Sequence, residues 1–172
     1  YAEFFYGSDT TLVPGEVVSL DAATKEIVRT IVPNDSNILG VISTAPSFIG
    51  NNFTGAERLV SDVRSDYHLI ALIGQVPVNV NTQGGPIRVG DFLTSASVPG
   101  VAMRATQPGL ILGQALESFE GPGEGIVNLF IHRGWNLNGD FLSLTGESLL
   151  VDTGLIVNSR VDARGISGLI DL

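Results

Sequence analysis

Between residues 68 and 116 apolar and polar positions alternate in short runs, each closed by a turn signal. Val76, Val78 and Val80 alternate with Pro77, Asn79 and Asn81, the period of two expected of a strand with one buried face. Gln83-Gly84-Gly85-Pro86 interrupts the run, since glycine supplies positive φ and proline cannot extend a central ladder. The spacing predicts a second strand over 87–93, a turn at Val98-Pro99-Gly100, and a third strand from Val101. Before this stretch, strands are expected over 1–6, 16–20, 26–32 and 38–43, with a hairpin loop at 21–25 and a turn cluster at 33–37. After it, residues 126–132 alternate again and close the body. Only 56–63 has helical spacing, with Leu59, Val60 and Val63 on one side. The pattern is that of a compact antiparallel all-β domain, a barrel or a sandwich.

The pattern also repeats. Leu12-Val13-Pro14-Gly15-Glu16-Val17-Val18 matches Ile87-Arg88-Val89-Gly90-Asp91-Phe92-Leu93: aliphatic, turn, glycine, acid, two apolar residues. Arg29 and Arg104 follow at the same offset, as do Pro33 and Pro108. Residues 38–42 answer 111–116 two positions out of step. Two β units with matching turn chemistry imply a pseudo-symmetric fold built from a duplicated motif.

From Gly134 the texture changes, and a body over 1–133 gives way to a tail over 134–172. Turn signals at Asn138-Gly139, Thr145-Gly146, Thr153-Gly154 and Arg164-Gly165 punctuate short apolar runs. The spacing suits short strands in an extended or fibrous segment, each needing neighbours to cover its apolar face. Leu149, Leu150, Leu155, Ile156 and Val157 either pack on sister chains or fold back on the chain's own barrel.

Composition narrows the classes. At 172 residues with 44% hydrophobic and 16% charged content, the chain can bury a core without metal or disulfide help. So low a charge density fits a surface hidden in an assembly. A net charge of −9 disfavours a phosphate backbone as partner, so no nucleic acid is expected. The absence of cysteine excludes thiolate nucleophiles and cysteine-ligated zinc. No apolar run approaches the roughly 18 residues of a spanning helix, so no membrane insertion is expected. The start at Tyr1 suggests processing or truncation of a longer chain.

Candidate chemistry is sparse. Glu3 lies among Tyr1, Phe4, Phe5 and Tyr6. It either faces water on a first strand or is desolvated enough to serve as a general acid or base. His68 and His132 are the available imidazoles, each at a strand end, and no HExxH spacing supports zinc. Asp9, Asp21, Asp35, Asp62, Asp66 and Asp91 fall at turns, where an aspartate satisfies local backbone donors. None of these spacings is a calcium loop. The glycine-rich 120–125 carries two acids and no Lys-Ser/Thr, which argues against a phosphate cradle. Asn34-Asp35-Ser36 and Asn52-Phe53-Thr54 fit the glycosylation sequon. Trp135 and the aromatic N-terminus suit a carbohydrate-contacting face or, more simply, core or interface. No cofactor is implied.

Taken together, Tyr1-Ala2-Glu3, residues 12–20, the run Ile38-Leu39-Gly40-Val41-Ile42-Ser43-Thr44-Ala45-Pro46 ending near Gly50-Asn51, and Leu72-Ile73-Gly74-Gln75-Val76-Pro77-Val78 resemble a known family. It is the self-cleaving intramolecular-chaperone domain, or neck-appendage peptidase domain, of bacteriophage tail-fibre and appendage proteins. The resemblance covers about residues 1–132. It implies a homotrimer on a virion or extracellular surface, touching neighbouring virion proteins, in which the domain helps three fibre strands find register. Some members then cut themselves off through a carboxylate pair. The family pattern Asp-Tyr-Ala-Glu is met here only by Tyr1-Ala2-Glu3, so Glu3 is the one catalytic candidate carried over. The expectation is therefore a structural, trimeric appendage subunit. A capsid decoration protein and a self-processing carboxylate peptidase are the alternatives.

Overall fold

A computed structural model describes residues 1–43, 45–51 and 65–137, together with the strand backbone of 142–145 and 148–151. The described residues form strands, turns and loops and contain no helix. The expected helical turn over 56–63, the sequon at Asn52 and the tail from 152 onward lie outside them.

The first five strands are β1 (Ala2–Tyr6), β2 (Val17–Leu20), β3 (Ile27–Arg29), β4 (Ile38–Ile42) and β5 (Tyr67–Ala71). They form an antiparallel sheet in the order β1-β5-β4-β2-β3. The next five are β6 (Ile73–Asn81), β7 (Phe92–Ser95), β8 (Ala102–Arg104), β9 (Gly109–Ala115) and β10 (Glu124–Asn136), closed into a barrel in the order β10-β6-β8-β7-β9. If each strand of the first sheet is replaced by the one five places later, the order becomes β6-β10-β9-β7-β8. That is the barrel, opened between β6 and β8. The duplication expected from the sequence is thus a duplication of topology. A further pair, β11 (Leu142–Thr145) and β12 (Ser148–Val151), forms an antiparallel hairpin.

The units differ at the seam. Val80 of β6 meets Ala102 of β8 in the parallel contact that closes the barrel; among the described residues the other strand pairings are antiparallel, and a parallel bridge joins Ala2 to Ile49. In the first unit the corresponding seam is joined by side chains. Gly7 lies so close to Ile27 that a Cβ there would stand 2.8 Å from its carbonyl oxygen. The Ser8 amide and hydroxyl donate to the Glu26 carboxylate at 3.1 and 2.6 Å.

The turn opening each unit follows one design. Gly15 and Gly90 take φ of +88° and +93°, a region that only glycine enters without strain. The acid after each glycine closes the turn: the Glu16 carboxylate accepts from the Val13 amide at 2.9 Å, and that of Asp91 from the Arg88 amide at 2.8 Å. The amides of Ile42 and Ala115 then donate to the carbonyls of Glu16 and Asp91, both at 2.9 Å. This turn is why the strand expected over 87–93 begins only at Phe92. Ile87 makes no more than an isolated bridge to Phe119.

The units share a core. Val17, Ile38, Val41 and Ala71 of the first pack in one buried cluster with Val76, Val78, Leu93, Leu112 and Leu129 of the second. The first unit keeps a smaller cluster of its own around Val18, Ile27, Ile42 and Ile70. β5 passes into β6 through Leu72 alone, so a nearly continuous strand carries the chain from one unit to the next.

Candidate functional site

Strand alternation sets the position of Glu3. Ala2 and Phe4 turn inward and are buried, whereas Glu3 and Phe5 lie half-buried on the opposite face. Glu3 stands opposite Ile70 of β5, and the Tyr1 hydroxyl, two residues before it on the same face, donates to its carboxylate. That hydrogen bond, then desolvation and the carboxylate charge, push the Tyr1 phenol above its ordinary value. The Tyr1 ring stacks on Phe48 at 5.7 Å. Among the described residues no second carboxylate is hydrogen-bonded to Glu3. The structure therefore brings Glu3 together with a phenol.

The outer edge of β1 is covered by a loop whose role has no sequence signal beyond its Gly-Asn pair. The Ala2 amide donates to Phe48 at 3.0 Å and the Gly50 amide to Ala2 at 2.9 Å. The Asn51 side-chain amide imitates a neighbouring strand: its Oδ1 accepts from the Phe4 amide at 2.7 Å, and its Nδ2 donates to the Phe4 carbonyl at 2.9 Å. An edge that would otherwise offer unpaired backbone groups is thereby capped.

The two histidines lie in different units. His68 Nε2 is 3.2 Å from the Gly7 carbonyl oxygen. His132 sits edge-on to Phe92 at 6.3 Å and tilted against Phe130 at 5.5 Å. Neither has a hydroxyl partner for nucleophilic chemistry among the described residues, and no group of three or more metal-ligating side chains occurs among them.

The densest polar cluster surrounds Arg29. Its guanidinium donates to Glu16 at 2.8 Å, to Asp9 at 3.1 Å and to the Thr11 carbonyl at 3.1 Å. The Thr11 hydroxyl and amide, assisted by the charges of Arg29 and His68, hold the Asp9 carboxyl below its ordinary value. With its donors engaged this way, the cluster fastens the loop over 9–16 to the sheet. Arg104, its counterpart, donates to the Gly84 carbonyl at 2.9 Å and so fastens the corresponding loop. Asp9, Asp21 and Asp35 each accept an amide two residues on, as their turn positions imply.

Besides a pocket of about 320 Å³ lined by Pro14, Ile42, Gln75 and Pro77, two open features remain among the described residues. One is a groove of about 410 Å³ beside β2 and β3, lined by Ser19, Leu20, Ala23, Val28 and Ile31 among others. The other is the outer face of the barrel. There β6 presents Ile73, Gln75, Pro77 and Asn79 beside Ile126, Asn128, Phe130 and His132 of β10, a strip bordered by carboxylates: Glu124 precedes Ile126 on the same face, and Glu117 accepts from the Asn128 side chain at 3.2 Å. Ile73 and Ile126 are 60% and 67% exposed, more than an isolated apolar residue needs to be. Trp135, 62% exposed, continues along β10.

No family model matches the chain, and no curated protein sequence does. Comparison with solved structures finds a similar fold in one bacteriophage protein. The C-terminal fragment of bacteriophage phi29 gene product 12 superposes with a TM-score of 0.52 at 17% identity, over 77% of this chain and 99% of that one. The pre-mature phi29 gene product 12 gives a TM-score of 0.53 at 16% identity, over 77% of this chain. This chain spans only 21% of that longer protein.

Proposed function

We propose that this chain is a structural subunit of a bacteriophage virion appendage, working as a homotrimer whose β units help the attached fibre strands assemble in register. The carrying observation is the strip of exposed apolar residues on the barrel's outer face, Ile73, Ile126 and Phe130, with carboxylates at its border, on a chain of net charge −9. Like-charged copies repel wherever carboxylates meet, so an apolar strip that has them only at its border is where identical subunits approach at least cost. The fold likeness to phi29 gene product 12 supports the setting. Holding three chains together makes strand pairing between them effectively intramolecular, and so faster.

The test is molar mass in solution by light scattering across a range of concentrations. A trimer is expected. Phe130→Glu or Ile126→Lys, which place charge on the apolar face, should lower the mass at equal concentration. A wild-type chain that stays monomeric would remove the assembly reading, and with it the appendage role.

A further inference from the structure

Within the chain, the first unit grips the second through a defined set of backbone groups. The turn at 98–100 inserts its last peptide between the strand ends of the first unit: the Val17 amide donates to the Gly100 carbonyl and the Gly100 amide to the Thr30 carbonyl, both at 2.8 Å. Beside it, the Asn79 amide donates to the Gly15 carbonyl at 2.9 Å. Ser95 is held as well, its carbonyl by the Asn34 amide at 3.0 Å and its hydroxyl by the Asp35 amide at 2.9 Å.

The duplication supplies a counterpart for each partner, and five of these counterparts are less covered. On the gripping side, Gly15, Val17 and Thr30 are buried, whereas Gly90 is exposed and Phe92 and Ala105 are half-buried. On the gripped side, Gly100 and Ser95 are buried, whereas Lys25 and Leu20 are exposed. Part of the geometry needed for docking is kept. Lys25 has φ of +62° against +72° at Gly100, an uncommon conformation for a residue with a side chain. The Ala105 amide donates to the Phe92 carbonyl at 2.8 Å, as the Thr30 amide does to Val17 at 3.1 Å.

We propose that copies of this chain dock head to tail by a partial repeat of this joint: the turn over 88–92, with Ala105, of one copy receives the turn over 21–25 of the next. The inference rests on the self-assembling reading above and adds a second contact surface to that on the outer face of the barrel. Three features fit a second copy in that place. First, Lys25 is the chain's single lysine, and the residue it would meet is Asp91, the counterpart of Glu16. A Cβ on Gly100 would stand 3.0 Å from the Glu16 Cγ. Aspartate is one methylene shorter, which leaves room there for the lysine stem and puts an acid beside its ammonium. Second, the groove of about 410 Å³ containing Leu20 lies where residues 31–35 cover Ser95 inside the chain. Residues 106–108 of the next copy would fill it. Third, the Ser19 hydroxyl in the groove wall is buried without a hydrogen-bond partner, whereas its counterpart Thr94 donates to Leu110 at 3.0 Å. Three bonds are not repeated: the Phe4 amide, counterpart of the Asn79 amide, is already taken by Asn51; the Lys25 amide, counterpart of the Gly100 amide, donates to the Asp21 carbonyl at 2.8 Å; and Leu20 has no hydroxyl to match that of Ser95. The joint between copies is therefore weaker than the one within. Being heterologous, it closes into a ring or continues as a filament, according to the rotation it imposes.

Because the chain has no cysteine, disulfide trapping tests the pairing directly. Full-length Lys25→Cys and Asp91→Cys chains, purified separately, mixed and oxidised, should give a heterodimeric cross-link. Neither alone should do more than form a minor symmetric dimer. Ala105→Cys replaces Asp91→Cys if loss of the Asp91 turn contact impairs folding. Lys25→Glu should lower the molar mass at equal concentration, with circular dichroism unchanged. An assembled wild type whose mass is insensitive to Lys25→Glu, or a mixture that yields no cross-link, overturns this docking surface while leaving self-assembly standing. A monomeric wild type overturns both.

Discussion

Arg29 shows how one side chain decides local order. It joins three points of a loop to two strands, and its partner Glu16 keeps a side-chain exposure of only 12%. Arg29→Ala would leave that carboxylate without its cation, so a loss of about 2 kcal/mol in urea unfolding is expected. Arg29→Lys should recover only part of it, because one ammonium cannot reproduce the guanidinium fork. Asp9 and Asp21 carry a pH dependence of definite sign. Both are held below their ordinary values, Asp9 chiefly by the Thr11 hydroxyl and Asp21 chiefly by the Thr24 amide. Their contribution is present above the unfolded carboxylate range near about pH 4 and is lost as pH falls through the lower folded values. The urea midpoint should therefore be flat near neutrality and decline below about pH 4, less steeply in Asp9→Asn. Glu3 belongs at this scale too. If a chain extended ahead of Tyr1 cuts itself, Glu3→Gln should abolish the cut on a denaturing gel. A cut surviving in Glu3→Gln would exclude Glu3 as the group responsible.

At the scale of elements, alternation and turn chemistry were readable, and contacts between distant strands were not. The period-two run at Val76, Val78 and Val80 became β6 with those three residues buried. Gly15 and Gly90, with an acid after each, announced a repeated turn because positive φ and side-chain capping are local properties. Two things escaped. Ile87 to Leu93 looked like one strand, since its apolar content hides a tight turn held by tertiary bonds to Ala115 and Phe119. The cap on β1 also escaped, because nothing local in Asn51 indicates that its amide will reach Phe4. The two turns also permit a matched comparison. At Gly15 an added Cβ meets the Asn79 side-chain oxygen at 3.0 Å; at Gly90 it meets nothing within 4 Å. Gly90→Ala should thus cost only the backbone penalty of about 1–2 kcal/mol, and Gly15→Ala measurably more. Urea unfolding at one fixed protein concentration compares them, so that coupling to assembly affects both alike.

For the whole molecule, the decisive fact is that the larger buried cluster belongs to neither unit alone. Ile38 lies in β4 of the first unit, yet it packs in the cluster that includes Leu93, Leu112 and Leu129 of the barrel. A repeat with independent cores could lose one half and keep the other. A shared core makes the halves stand or fall together, and the strand running from β5 into β6 adds a covalent reason for the same coupling. Trp135, the only tryptophan, reports from the second unit. Ile38→Ala removes apolar volume from a fully buried position and should cost about 2–5 kcal/mol. The urea midpoint read by Trp135 fluorescence should fall by the same amount as the midpoint read by far-ultraviolet circular dichroism, which senses both units. Ile27→Ala, in the first unit's own cluster, should also move both signals together if unfolding is a single transition. A Trp135 midpoint that stays in place while the circular dichroism transition splits would mean that the barrel survives without its partner. The units would then be two domains in contact, and the joint between them would be a docking surface rather than a core.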